Sequence, residues 1–135
     1  MTILKLKIYC GTHPDSFIEV EDYGASCTVL QGCTVQLPKK KGETKKTFDI
    51  KAGFRSDWCS IPSFLSCFGF SKRNVKWDCA GIIHDYLYGN GRKLEISRKT
   101  ADKLFKNECR SHGTTKIKAF LMYISLRLFA KKAYK

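Results

Sequence analysis

The spacing of apolar residues changes at Gly53, and no other feature constrains the fold as much. Before it, apolar and polar side chains alternate, as a pleated strand with one buried face requires. After it, they recur every three to four residues, the spacing of one helix face. Ile3 to Tyr9 alternates clearly, with Lys5 and Lys7 between apolar neighbours. Phe17-Ile18-Glu19-Val20, Cys27-Thr28-Val29-Leu30, Cys33 to Leu37 and Thr47-Phe48-Asp49-Ile50 continue the pattern. Pro38 and Lys39-Lys40-Lys41-Gly42 mark a turn, since proline lacks the donor a ladder needs. The reading is a small antiparallel sheet or open barrel of four to six strands.

Beyond Gly53, Ser60 with Pro62 in the first turn predicts a short helix. Val75 to Tyr88 predicts a longer one, with Trp77, Ala80, Ile83, His84 and Leu87 near one face and Gly89-Asn90-Gly91 as a left-handed cap. Ser97 is a good cap for a helix over Arg98 to Arg110, whose stripe is Ala101, Leu104, Phe105 and Cys109. Gly113 ends it. A last helix from Thr115 to about Ala130 is expected to turn Ile117, Phe120, Leu121, Ile124 and Leu128 inward. The fold class is therefore α+β: an N-terminal antiparallel β-sheet, then a C-terminal bundle of about three helices. All 135 residues form a single domain, 1–56 mostly β and 57–135 mostly α.

With 25 lysines and arginines against 12 acidic residues, the net charge of +13 points to a phosphate-bearing partner, in nucleic acid or on an anionic membrane. No apolar run approaches the ~20 residues of a membrane span, and the lysine-interrupted N-terminus lacks a signal-peptide core. Folding in a cytosol is expected. The seven cysteines, odd in number and without a C-x-x-C pair, read as reduced and mostly buried thiols.

The chemistry concentrates between Trp77 and Asp102. His84 and Tyr88 are four residues apart and share a helix face, while Asp85 points about 100° away. An antiparallel partner helix would bring Asp102 to His84. A carboxylate on one ring nitrogen fixes the tautomer and stabilises the imidazolium, so the other nitrogen can deprotonate a water. Tyr88 is placed to donate to Asp102. Asp85 is left for a hard cation such as calcium. Asp57, in the turn where sheet gives way to helix, is a second candidate ligand. The same residues also allow a purely structural account. In it, Asp85 pairs with Arg92 or Lys93, Asp102 pairs with Arg98, and Asp57 makes an Asx-turn.

Phe54-x-x-Asp57-x-x-Ser60-Ile61-Pro62, His84-Asp85-Tyr86-Leu87-Tyr88 and Arg98-x-x-Ala101-Asp102-x-x-Phe105 together resemble a phage- and prophage-borne family catalogued as a domain of unknown function. Met122-Tyr123-x-x-Leu126-Arg127-Leu128-Phe129 is similar to that family's last helix. The resemblance spans roughly residues 48–134. Cys59 stands where the family has alanine.

H-D-x-x-Y followed by an aspartate on a partner helix also resembles phospholipases A2, including the parvoviral domain. That likeness implies His84 as general base, Asp102 as its orienting carboxylate, Tyr88 as a supporting donor and Asp85 as a calcium ligand. Asp78 falls where the secreted enzymes often carry an acid. The glycine-rich calcium loop of those enzymes has no counterpart here beyond Phe68-Gly69-Phe70, so calcium would need Asp57 in its place.

Three functions stay open on the sequence. One is a His/Asp, metal-assisted hydrolase of the phospholipase A2 kind acting on anionic phospholipid. The second is a non-enzymatic virion or host-interaction protein in which His84, Tyr88, Asp85 and Asp102 form a structural network. The third, less favoured, is charge-driven nucleic-acid binding, for which no recognition motif is present. The expected setting is the host cytoplasm during infection, or the virion.

Overall fold

The computed structural model describes residues 2–8, 17–37, 47–59 and 69–135. Its β half has six strands: β1 (Thr2–Lys7), β2 (Phe17–Asp22), β3 (Cys27–Gln31), β4 (Cys33–Gln36), β5 (Thr47–Ile50) and β6 (Arg55–Ser56). The α half has α1 (Asp78–Asn90), α2 (Arg98–Ser111) and α3 (Lys116–Phe129). This is the expected α+β order. The strands form two sheets and not one barrel: an antiparallel sheet in the order β1-β2-β3-β6, and the β4-β5 hairpin.

Alternation decides which strand faces are buried. Ile18 and Val20 of β2, Val29 of β3, Val35 of β4, and Phe48 and Ile50 of β5 point into one core. Val20 sits opposite Val29, just past a register shift at Glu19/Val20. Gly53 adopts φ 92°, a left-handed conformation that glycine reaches without steric cost. Its N–H donates to the Val29 carbonyl at 2.7 Å, and Val29 N–H donates to Phe54 O at 2.8 Å. The chain is thereby turned back alongside β3 as β6, a strand too short for periodicity to reveal.

Helix α1 lies between two cores. On one side are the sheet residues with Ile82, Ile83 and Leu87; on the other are Phe70, Phe105, Met122 and Leu126, with Ala80 of α1 packed among them. It is buried from Asp78 to His84 and again from Tyr86 to Tyr88, so the single apolar face read from the sequence understates its burial. A helix buried all round has little amphipathic signal to read. It also runs through Gly89 and Asn90, and Gly91 has φ −58°, so the expected left-handed cap is absent. Glycine is required there for space: a side chain would run into the Tyr134 ring and sit 2.7 Å from Leu87 O.

The two later caps are as expected. Ser97 Oγ accepts from Thr100 N at 3.1 Å, and Thr115 Oγ1 accepts from Lys118 N at 3.3 Å. Helix α3, however, is rotated from the expected orientation. Ala119, Met122, Ser125 and Leu126 face inward, whereas Ile117, Phe120 and Leu128 are 74, 52 and 67 % exposed. The inward stripe is made of small and slender residues because α3 packs closely on α2. Cys27, Cys59, Cys79 and Cys109 are buried free thiols and Cys33 is half-buried. No helix among the described residues is long and apolar enough to cross a membrane. The turn over Pro38 to Gly42, the helix expected at Ser60, Phe68, Cys10 and Cys67 lie outside the described residues.

Candidate active site

Helices α1 and α2 are antiparallel, and this is what brings His84 to Asp102. The Nε2 of His84 lies 2.8 Å from Asp102 Oδ1. Tyr88, one turn further along α1, donates its hydroxyl to the same oxygen at 2.5 Å. Arg127 of α3 donates to Asp102 Oδ2 at 2.9 Å. The carboxylate is fully buried and holds three donors from two helices. Burial by itself would raise the Asp102 pKa; the bonds from His84, Tyr88 and Arg127 outweigh it and leave the carboxyl below its usual range. An ionised carboxylate only accepts, so the neutral imidazole carries its proton on Nε2 and presents a lone pair on Nδ1.

Around this pair the packing fixes each ring. His84 and Tyr88 ring centres are 4.0 Å apart, and Phe105 meets His84 edge-on at 5.3 Å. Arg98 binds three elements together. Its Nε donates to the Tyr88 hydroxyl at 3.2 Å, and its Nη2 donates to the Leu126 and Arg127 carbonyls, each at 2.7 Å. Those carbonyls belong to the last turn of α3, where helical partners run out and a cation is favoured. Burial, then the bond to Asp102, pushes the Tyr88 hydroxyl well above its usual pKa, so it remains a donor at all ordinary pH.

Asp85 looks the other way, towards the β6 loop. Its Oδ2 accepts from Ser56 Oγ at 2.7 Å and from the Asp57 N–H at 3.3 Å. Burial raises its pKa despite both donors, and the charge of Asp57 raises it further. The loop reaches α1 because Gly81 has no side chain: a Cβ there would lie 2.8 Å from Cys59 N and 2.9 Å from the Trp58 carbonyl carbon. Trp58 holds φ 64°, strained for a bulky residue, and is completely buried with the Arg73 guanidinium 3.6 Å over its ring.

His84, Asp85, Tyr88 and Asp57 line one cavity of about 370 Å³, with Phe54, Phe105, Ala130, Ala133 and Lys135 among its further walls. The ring of His84 is only slightly exposed, and its Nδ1 has no hydrogen-bond partner among the described residues. The structure thus joins His84, Tyr88 and Asp102 in one cluster and Asp85 with Asp57 in another, and His84, Tyr88, Asp85 and Asp57 line the same hollow. Arg92 and Lys93 make no bond to Asp85, and Arg98 bonds Tyr88 in preference to Asp102. Asp78 is structural: its Oδ1 accepts from Asn74 N at 2.9 Å and pairs with Arg73 at 3.4 Å.

Two partners escaped the sequence reading. Arg127 enters there only as a member of the Leu126-Arg127-Leu128 motif, with no role of its own. Ser56 carried no signal, because β6 brings it to Asp85 from 29 residues away.

Residues 31–126 match the DUF1353 family, whose description is a protein of unknown function, and the chain belongs to that family. The matched span contains Asp57, His84, Asp85, Tyr88 and Asp102. No curated protein and no solved structure matches the chain.

Proposed function

We propose that this DUF1353 chain is a hydrolase in which His84 is the general base and Asp102 the carboxylate that orients it. The observation that carries the reading is the His84–Asp102 bond of 2.8 Å beside a cavity into which the second ring nitrogen has no competing partner. A water held in that cavity loses its proton to Nδ1 as its oxygen attacks an ester carbonyl carbon, and the imidazolium returns that proton to the alcohol oxygen as its C–O bond breaks. The resulting imidazolium is stabilised by Asp102, which three donors keep ionised. A hard cation between Asp85 and Asp57 would polarise the carbonyl oxygen. The donor set fits in part: both carboxylates belong to residues that line the cavity, but one Asp85 oxygen already has two donors.

The substrate class we favour is a carboxylic ester of an anionic phospholipid. Two features support it: the net charge of +13, and the exposed Ile117, Phe120 and Leu128 of α3, with Lys106, Arg110 and Lys116 beside Ile117 and Phe120. Such a face suits the headgroup–acyl boundary of a bilayer. The test is fatty-acid release from phosphatidylglycerol vesicles with calcium. Release by the wild type and its loss in a folded His84→Ala variant is the expected result. Equal release by both, or none by either, overturns the reading.

A non-enzymatic role is favoured by one observation, the complete saturation of Asp102, which equally suits a lock between helices. In that case His84→Ala lowers stability and nothing else.

A further inference from the structure

The buried stripe of α2 carries a second carboxylate, Glu108, which is fully buried. Six residues after Asp102, it lies about 9 Å further along α2, beside the start of α1. Its surroundings differ in kind from those of Asp102. His112, one turn on, has Nε2 3.1 Å from Glu108 Oε1. Cys79, in the first turn of α1, is a free and buried thiol. One ligand atom from each of Cys79, Glu108 and His112 can be chosen so that all lie within 4.8 Å of one another.

We infer that Cys79, Glu108 and His112 form a zinc site that ties the start of α1 to the end of α2. Sulfur, nitrogen and carboxylate oxygen are the donors zinc takes in protein sites. The distances fit as well. With zinc bonds of about 2.1 Å, a nitrogen and an oxygen at tetrahedral angles lie about 3.4 Å apart. The 3.1 Å between His112 and Glu108 is already close to that value. The sulfur, on its longer bond of about 2.3 Å, would stand about 3.6 Å from each of them and already lies within 4.8 Å, so it has to close by at most about 1.2 Å. The fourth position falls to water. The ligands come from positions 79, 108 and 112, so no compact sequence motif announces them. The inference stands apart from the hydrolase reading and does not use His84.

The experiment uses the full chain without an affinity tag, purified after growth with zinc. Elemental analysis is expected to give one zinc per chain. Replacement by cobalt is expected to give a thiolate charge-transfer band and the intense visible bands of a tetrahedral ion. The variant His112→Gln keeps a side chain that can bond Glu108, so the fold survives; its zinc affinity is expected to fall roughly 100-fold or more. Cys79→Ser is expected to lose the charge-transfer band, and Cys109→Ser, a neighbour outside the set, to keep it. Zinc is expected to raise the melting temperature of the wild type but not of His112→Gln. A folded wild type with substoichiometric zinc and no cobalt–thiolate band overturns the inference. So does a His112→Gln chain that binds zinc as tightly as the wild type.

Discussion

Replacing Asp102 with asparagine tests the centre of the site, because it changes charge and donor pattern while keeping shape. The carboxylate accepts from His84 and Tyr88 on one oxygen and from Arg127 on the other. An amide has a single acceptor oxygen. With that oxygen towards His84 and Tyr88, the NH2 group confronts the Arg127 cation. Turned round, it confronts the Tyr88 hydroxyl and forces His84 to accept through Nε2. The proton then moves to Nδ1, where the base is needed. Breaking a buried charge pair by removing one partner costs about 3–5 kcal/mol. Arg127 keeps 30 % exposure and can reach water, which places the loss near the lower end, about 3 kcal/mol. For a chain of this length, that is a fall in melting temperature of about 10 °C.

The pH dependence supplies a second check. The Asp102 pKa is depressed in the folded state. Its stabilisation is therefore complete above the unfolded value of about 4 and is lost as pH falls through the folded value. Thermal unfolding followed by circular dichroism is expected to show a wide gap between wild type and variant at pH 7, narrowing in acid. Hydrolysis is expected to fall about 1,000-fold or more through the wrong tautomer. A variant melting within about 2 °C of wild type at pH 7 would refute the placement of a buried, triply bonded carboxylate here.

Other perturbations separate the parts of the site. Asp85→Asn removes a carboxylate whose pKa burial raises, so its cost to stability sets in as pH rises through the unfolded value of about 4 and is complete above the folded value. Differential scanning fluorimetry is expected to show a higher melting temperature at pH 7, no gain below about pH 4, and calcium-dependent hydrolysis lost. Gly81→Ala sets a Cβ against backbone atoms of Trp58 and Cys59 that cannot give way. Thermal unfolding is expected to register a loss of about 1–3 kcal/mol, with hydrolysis falling as Asp57 is displaced from Asp85. Ile117→Glu with Phe120→Glu changes only exposed positions of α3. Vesicle sedimentation is expected to show weakened binding to anionic lipid, with the melting temperature unchanged; unchanged binding would remove that face from the argument.

The division of labour between sequence and tertiary structure follows from what each interaction depends on. Strand alternation, the caps at Ser97 and Thr115, and the shared face of His84 and Tyr88 depend on neighbours within a few residues, so the sequence alone determined them. Pairing His84 with Asp102 was legible as well, because a short loop between two helices leaves them antiparallel. What needed the fold was everything set by rotation or by distant approach. Helix α3 hides Ala119 and Met122 and exposes Phe120, because close packing on α2 outweighs the hydrophobicity of the larger side chains. Arg127 reaches Asp102 across 25 residues, and Ser56 reaches Asp85 across 29. Cys79, Glu108 and His112 meet only because two helices lie side by side. Local patterning records the secondary structure a residue prefers; which side chains then meet depends on how finished elements pack, and that information is spread over the whole chain.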